Sequence, residues 1–227
     1  MKVRHTLRRW HIWLGWIVGV PLLLWSVSGV VMVARPIDEV RGSDLLAEAN
    51  GLPSGLVAIP PAIGPRAVES LRLEQRGAGP RWVIRYSDGA ARLADPGSGR
   101  LLPAITAAEA AREVAARYTG KAKIAAVDRT SADKPPIDLR RPVEAWRVSM
   151  SDGTRFYLDS ATGEVLARRT RWWRFYDFMW GLHIMDLDTR EDSHNPWVIG
   201  FGVITLLTTL MALVLLPMTI ARRRRGK

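Results

Sequence analysis

The chain contains no cysteine, and this absence excludes several kinds of site. Disulfides, iron–sulfur clusters, thiolate zinc sites and covalently attached haem all need cysteine sulfur. Histidine is scarce, with four residues among 227. The sequence also lacks a nucleophile–base pair, a phosphate loop and an H-E-x-x-H motif. We therefore expect no catalysis by the protein's own side chains.

Charge is missing from two long apolar stretches, residues 10–34 and 197–221. Each would span roughly 37 Å as a helix, which exceeds a hydrocarbon core of about 30 Å. We predict two transmembrane helices, at 10–34 and at 196–221. The first is predicted to be an uncleaved anchor, because it is longer than a signal sequence, contains four tryptophans and is followed by no A-x-A site.

Acidic residues are missing from both ends of the chain, residues 1–9 and 222–227, which are basic. The net charge is +11, and these two tails hold nine of the 33 Lys and Arg residues, while the other 24 are accompanied by all 22 Asp and Glu residues. Basic segments beside spans predict two cytoplasmic termini and a periplasmic central domain, in a bacterial inner membrane. They also favour anionic lipid as a partner. Nucleic-acid binding is not expected.

The central region contains an internal duplication. Residues 81–102 align without gaps on 145–166 at a constant offset of 64, with seven identities. Each copy is predicted to be a β-hairpin through Ser-Asp-Gly that ends in a second turn beginning with aspartate. These Asp and Gly clusters could also be cation-binding loops, but turn chemistry explains them without a ligand.

Other central segments carry weaker signals. Residues 106–120 predict a helix with Thr106 as N-cap, Glu109 completing a capping box and Gly120 as the stop. Residues 122–130 predict a strand, 131–142 an exposed insertion, and 64–75 either a helix or a leading strand. The four prolines within 42–65 indicate a tether that contributes nothing to the core.

An aromatic helix is predicted at 171–190, lying in the outer membrane interface. Its polar face would combine Arg174, Asp177, Gly181 and Asp188, with His183 on the opposite, apolar side. An imidazole in that position needs a partner. Ligation of a haem or metal would supply one, and so would a hydrogen bond to Asp186 or to the first helix.

His11, Gly15 and Gly19 share one face of the first predicted span. Imidazole beside two glycines lets either a flat macrocycle or another helix approach the backbone closely. The remaining histidines carry less information. His194 is predicted to be an exposed residue in the cap of the second span, which begins at Pro196. His5 lies in the basic tail.

The sequence "AWRV…FYLDSATGEVL" resembles a PepSY domain, and "RRWHIWLG" in the first span with "LH" after the second hairpin is similar to PepSY-associated transmembrane proteins. That resemblance implies electron transfer assisted by haem b, directed toward ferric iron, with His11 and His183 as axial ligands. Because these histidines lie at opposite membrane surfaces, they cannot serve one haem within a chain. Larger relatives have additional helices, so a homodimer or partner membrane subunit is expected to complete each site. The alternative is a non-catalytic anchored module that binds a periplasmic protein through exposed sheet edges.

The predicted fold class is an α+β membrane protein, in which two transmembrane helices flank a duplicated PepSY-like domain of helix plus antiparallel hairpin. The predicted segments are a basic tail (1–9), the first span (10–34), a tether (35–66), a degenerate first repeat (67–104), a second repeat (105–170), the interfacial helix (171–190), the second span (196–221) and a basic tail (222–227).

Overall fold

The computed structural model describes the backbone of residues 2–225 and the side chains of residues 5–217. The side chains of the basic residues at 1–4 and 222–227 lie outside the described residues. The helices are α1 (Lys2–Val33), α2 (Ile37–Arg41), α3 (Ala107–Arg117), α4 (Arg171–His183) and α5 (Pro196–Arg225). The strands are β1 (Val68–Arg76), β2 (Gly79–Tyr86), β3 (Ala91–Ala94), β4 (Ile124–Thr130), β5 (Ala145–Met150), β6 (Arg155–Asp159) and β7 (Val165–Arg169).

The chain divides into two units. The helical unit is Met1–Pro36 with Phe175–Lys227, and the sheet unit is Ile37–Arg174. In the helical unit, α1 packs on α5, and both are long and apolar enough to cross a membrane. Most of their large apolar side chains point outward; Trp16, for example, is 76% exposed. Lipid accommodates such a surface, which would be costly in water. The two predicted spanning helices are confirmed.

Of the two long helices, the second begins at the predicted residue and the first begins earlier than predicted. The second span begins at Pro196 as predicted, because the Asn195 side-chain oxygen accepts hydrogen bonds from the backbone amides of Trp197 and Val198, each at 3.1 Å. The first helix begins at Lys2, well before residue 10. Charged side chains are compatible with helix geometry, so the absence of charge marks the span but not the helix start.

The sheet unit contains two antiparallel sheets, in the orders β1-β2-β3 and β4-β5-β6-β7. The β2–β3 and β5–β6 hairpins are the duplicated elements, and their turn glycines have nearly equal φ angles, 83° at Gly89 and 84° at Gly153. In both turns the aspartate accepts a bond from the amide two residues on, at 3.0 Å from Asp88 and 2.8 Å from Asp152. The aspartates therefore serve as turn residues, and the hairpin prediction is confirmed.

The duplication extends to a tryptophan anchor. The indole N–H of Trp82 donates to the carbonyl of Ile59 at 2.8 Å, and that of Trp146 donates to the carbonyl of Ile105 at 2.9 Å. Each anchor ties a hairpin to a stretch of chain that precedes it in the sequence. Residues 35–66 are consequently more than a tether, since Val40 is 1% exposed and Leu46 joins the core of the second sheet.

Helix α3 covers that core. Thr106 and Glu109 form the predicted capping box, and Val114 packs with Phe156 in the fully buried centre. The helix stops at Arg117, so the prediction that Gly120 ends it is wrong. Tyr118 turns to an extended conformation and packs edge-on against Phe156, at 5.8 Å between ring centroids. This contact ends the helix three residues early.

Two further segments can now be compared with their predictions. Residues 64–75, predicted to form either a helix or a leading strand, contain most of the strand β1. The prediction that the insertion at 131–142 is exposed is wrong in part, because Asp138 is only 3% and Leu139 only 2% exposed. Leu139 packs with Tyr157, whose hydroxyl donates to Asp138 at 2.7 Å. Arg155 also donates to Asp138, at 3.1 Å, so the insertion is held by a buried polar cluster.

The hydroxyl of Tyr157 makes stability sensitive to alkaline pH. Burial, followed by the hydrogen bond to Asp138, raises the pKa of Tyr157 to about 12. Because tyrosine in an unfolded chain titrates near 10, the contribution to stability is complete below about pH 10 and disappears as pH rises through about 12. Denaturation of the detergent-solubilised chain should therefore show a smaller loss of unfolding free energy over that window in Tyr157→Phe than in wild type. At pH 8 the variant should be less stable by about 1–2 kcal/mol. Equal slopes in the two proteins would contradict this role.

Candidate functional site

The segment that carries His183 is shorter as a helix than predicted. Helix α4 ends at His183, and residues 184–195 form a loop where 171–190 was predicted to be helical. Asp186 organises this loop: its carboxylate accepts from the Thr189 hydroxyl and from the amides of Thr189, Glu191 and Asp192, the amides at 3.0–3.1 Å. The Thr189 hydroxyl, with these amides, holds the pKa of Asp186 well below its usual range. Asp186 therefore stabilises the loop, and its carboxylate makes no hydrogen bond to His183.

The polar face predicted for α4 is reversed in part. Asp177 and Gly181 are buried, whereas Phe175 and Phe178 are each 41% exposed. Arg190 folds back from the loop and donates to Asp177 at 2.8 Å, which allows the carboxylate to be buried. The backbone at Gly181 is also close to the loop, because an added Cβ would lie 2.9 Å from the carbonyl of Asp186.

The Asp177–Arg190 pair gives a testable effect on stability. Asp177→Ala should cost about 3 kcal/mol, because it removes the carboxylate from a pair whose side chains are 5% and 19% exposed. Asp188→Ala is the matched control, since Asp188 is exposed. Denaturation of the solubilised chain, with limited proteolysis of the 184–195 loop, measures the difference. If both variants were as stable as wild type, the pair would not hold the loop.

His183 contacts the first helix. Its Nδ1 lies 3.0 Å from the Ser28 hydroxyl oxygen and 3.2 Å from the carbonyl oxygen of Trp25. The imidazole stacks on the Trp25 ring, with centroids 4.4 Å apart and planes 22° from parallel. Gly29 permits this approach, because a Cβ there would lie 3.3 Å from Cε1 of His183. Of the two hydrogen-bonding alternatives, the bond to the first helix is the one that forms.

These contacts favour one tautomer of His183. The Ser28 hydroxyl donates to the Trp25 carbonyl at 2.8 Å, so its oxygen is left to accept a bond. Both oxygens near Nδ1 are then acceptors, and the neutral imidazole carries its proton on Nδ1. The lone pair is on Nε2, to which no described residue hydrogen-bonds. A ring held at Nδ1 with Nε2 unprotonated is the usual arrangement of a metal-ligating histidine.

His11 lies in a different environment on α1. Its Nδ1 is buried and has no hydrogen-bond partner among the described residues. The neighbouring glycine face is open, because a Cβ added at Gly15 or Gly19 would meet nothing within 4 Å. A hollow of about 330 Å³ lies along this face. Helix α5 therefore does not pack on the face that carries Gly15 and Gly19.

The two histidines are far apart along α1. Trp25, against which His183 stacks, is 14 residues from His11. That separation corresponds to about 21 Å along a helix. The two imidazoles cannot ligate one metal within a single chain, in agreement with the reasoning from sequence.

The other histidines lie outside this arrangement. His194 and His5 are exposed, as predicted for the cap of α5 and for the tail. Among the described residues, no group of three His, Asp or Glu side chains is arranged to hold a metal ion. The sequence reasoning missed Trp25, Ser28 and Gly29. Their spacing does place them together on α1, but only the tertiary contact with α4 reveals that they surround an imidazole.

The fold therefore defines an α+β membrane protein whose two spanning helices flank a duplicated sheet domain. The PepSY-associated TM region family matches residues 8–226, nearly the whole chain, and the protein belongs to this family. No curated protein and no solved structure matches the chain.

Proposed function

We propose that this membrane PepSY protein is an electron-transfer subunit that uses haem b and delivers electrons toward ferric iron. The observation that carries the proposal is His183, whose Nδ1 is held by Ser28 and the Trp25 carbonyl while its Nε2 is left to bind iron. A haem held there would supply an iron centre that accepts and donates one electron at a time.

The residues fit a role in holding haem. Stacking on Trp25 fixes the plane of the His183 ring, and the bond at Nδ1 sets the tautomer and raises the basicity of the ligand. His11 offers a second imidazole near the start of the span, with a buried nitrogen that has no partner in the described part of the chain. Each histidine would supply one ligand to a separate site.

A second copy of the chain would supply the missing ligands. The open face of Gly15 and Gly19 suits close contact between two α1 helices, the usual role of G-x-x-x-G in membranes. His11 lies one turn from Gly15 on the same side of α1, so a symmetric pair of these helices would bring two His11 residues toward one interface. We propose a homodimer on this basis, with a partner membrane subunit as the alternative.

The proposed orientation places both termini in the cytoplasm of a bacterium and the sheet unit in the periplasm. His11 would then lie toward the cytoplasmic side and His183 toward the periplasmic side. Two haem sites about 21 Å apart along α1 would divide the path of the electron across the membrane into shorter transfers. In each cycle one electron from a cytoplasmic-side reductant would convert one ferric ion to ferrous.

Proteoliposomes test this function. With ferricyanide inside and dithionite outside, wild-type protein should accelerate ferricyanide bleaching well above the leak of empty liposomes. The His183→Ala variant should fall to the leak rate, while His194→Ala should behave as wild type. Bleaching by wild type at the leak rate would contradict electron transfer across the membrane.

The exposed edge of the second sheet favours a different, non-catalytic function. Strand β4 pairs only with β5, and four of its seven residues are exposed. Such an edge can accept a strand from a periplasmic protein. This binding function predicts that histidine substitutions change nothing, whereas a proline at exposed Ala126 in β4 weakens capture of the partner.

A further inference from the structure

The sheet unit contains a positively charged pocket that the proposed electron transfer does not use. It has a volume of about 240 Å³, and five arginines line it: Arg72, Arg76, Arg85, Arg117 and Arg168. Two glutamates are the only acidic residues in the lining. The wall therefore has a formal charge of +3 among residues that ionise at neutral pH.

Strand geometry brings these side chains together. Arg72 and Arg76 are four residues apart on β1, so they point to the same face of the sheet. Arg85 lies opposite Ser70 in the neighbouring strand, which places it on that same face. The last residue of α3, Arg117, and Arg168 of β7 complete the pocket from the second repeat.

The acidic residues do not neutralise all of this charge. Glu164 pairs with Arg85, and Glu74 pairs with Arg76 at 2.8 Å. Arg168 donates to a backbone carbonyl, that of Ser43, at 3.0 Å. The guanidinium of Arg76 also has a buried Nε with no hydrogen-bond partner among the described residues.

Three arginines of the lining remain after these two pairs: Arg72, Arg117 and Arg168. Arg117 is 3.6 Å from Glu113 and donates to the carbonyl of Ala47 at 2.9 Å. Within the described side chains, Arg72 makes no ion pair and no hydrogen bond. It is thus a guanidinium at the pocket wall that is available to a ligand.

The clustering of charge is not a consequence of composition. Between the two spans, 24 basic residues are nearly matched by 22 acidic ones. A random distribution of these residues would give pockets close to neutral, whereas this one concentrates like charges that repel one another. A bound anion would relieve that repulsion, and guanidinium groups bind carboxylate and phosphate in a bidentate manner.

We propose that this arginine-lined pocket binds a small anion with two or more carboxylate or phosphate groups. The volume suits a molecule about the size of citrate or pyrophosphate, below the range of typical drug-sized sites. Arg72 makes the primary contact, and Arg76 and Arg168 line the same pocket. The site is independent of the haem proposal, since all its residues belong to the sheet unit.

Calorimetric titration of the full chain in uncharged detergent, at low salt, tests the pocket with citrate and with pyrophosphate. Arg72→Gln should weaken binding by about tenfold, the effect of losing one charged hydrogen-bonding group. Arg100→Gln is the matched control, because Arg100 is exposed and does not line the pocket. It should bind within a factor of about two of wild type. Arg72 anchors nothing else in the described structure, so both variants should fold.

The same titration in nanodiscs separates two sources of the anion. If the natural ligand is soluble, citrate affinity is the same in phosphatidylcholine discs and in discs that also contain cardiolipin, a lipid with two phosphate groups. If it is a lipid headgroup, cardiolipin weakens citrate binding to wild type but not to Arg72→Gln. If neither citrate nor pyrophosphate binds at concentrations up to about 10 mM, which is near the weak limit of measurable affinity, the proposal is overturned. Equal weakening in Arg72→Gln and Arg100→Gln would also overturn it.

Discussion

Replacing His183 by alanine is expected to remove the haem that we propose near the end of α4, together with its share of the Soret absorbance. The structure provides this imidazole with supporting contacts from α1. Ser28 and the Trp25 carbonyl hold Nδ1, and the Trp25 ring fixes the plane. Alanine offers no ligand atom, so the expected effect is complete loss at this site.

Two controls give this result its meaning. His194→Ala removes an exposed imidazole from the same segment and should leave the absorbance unchanged. Ser28→Ala keeps the ligand but removes the hydroxyl that bonds Nδ1, and should lower haem affinity by about tenfold or more. Since Ser28 is fully buried, that variant also needs a stability measurement. Full Soret absorbance in His183→Ala would show that His183 is not a ligand.

Replacing Gly15 and Gly19 by leucine is expected to convert the proposed homodimer to monomers and to reduce the proposed haem content with it. A Cβ added at either position would meet nothing within 4 Å inside the chain, so the isolated fold should tolerate both substitutions. At an interface between two helices, however, each leucine would force the backbones apart. The dissociation constant measured in nanodiscs should rise by about tenfold or more.

Helix α5 supplies a matched control for this experiment. Gly200 and Gly202 also have open space around an added Cβ, so leucine at both sites changes the apolar surface by the same amount. These substitutions should leave the dimer and its haem intact. A monomeric wild-type protein that still binds haem through both histidines would instead indicate ligands from elsewhere. If both pairs of substitutions weaken the dimer equally, the Gly15 and Gly19 face of α1 is not the specific dimer interface.

The parts of the fold that follow from local chemistry could be predicted from the sequence. The repeat at an offset of 64 predicted both hairpins, because Ser-Asp-Gly satisfies a turn with its own side chain and a glycine of positive φ. Thr106 and Glu109 likewise predicted where α3 begins. The end of α3 was missed, because Tyr118 leaves the helix for a long-range contact with Phe156 that no local pattern encodes.

In the candidate site, too, local patterns could be predicted from the sequence and long-range contacts could not. Periodicity placed His183 on one side of α4 but assigned Asp177 to the exposed face. That assignment failed because Arg190 returns from the loop to neutralise the carboxylate, a pairing across 13 residues that includes a change of chain direction. The partner of His183 was one of several alternatives, and only the packing of α4 on α1 selects Ser28 and Trp25. The arginine-lined pocket was not predicted, since its arginines come from three strands and the end of α3.

The absorption spectrum of the purified chain, recorded before and after reduction with dithionite, tests the proposed haem binding most directly. We predict a Soret band that shifts on reduction and whose intensity per chain falls in both His11→Ala and His183→Ala. Haem should be extractable, since a chain without cysteine cannot attach it covalently. A wild-type protein produced with ample haem and showing no Soret band would contradict the claim, as would a band that both variants retain in full.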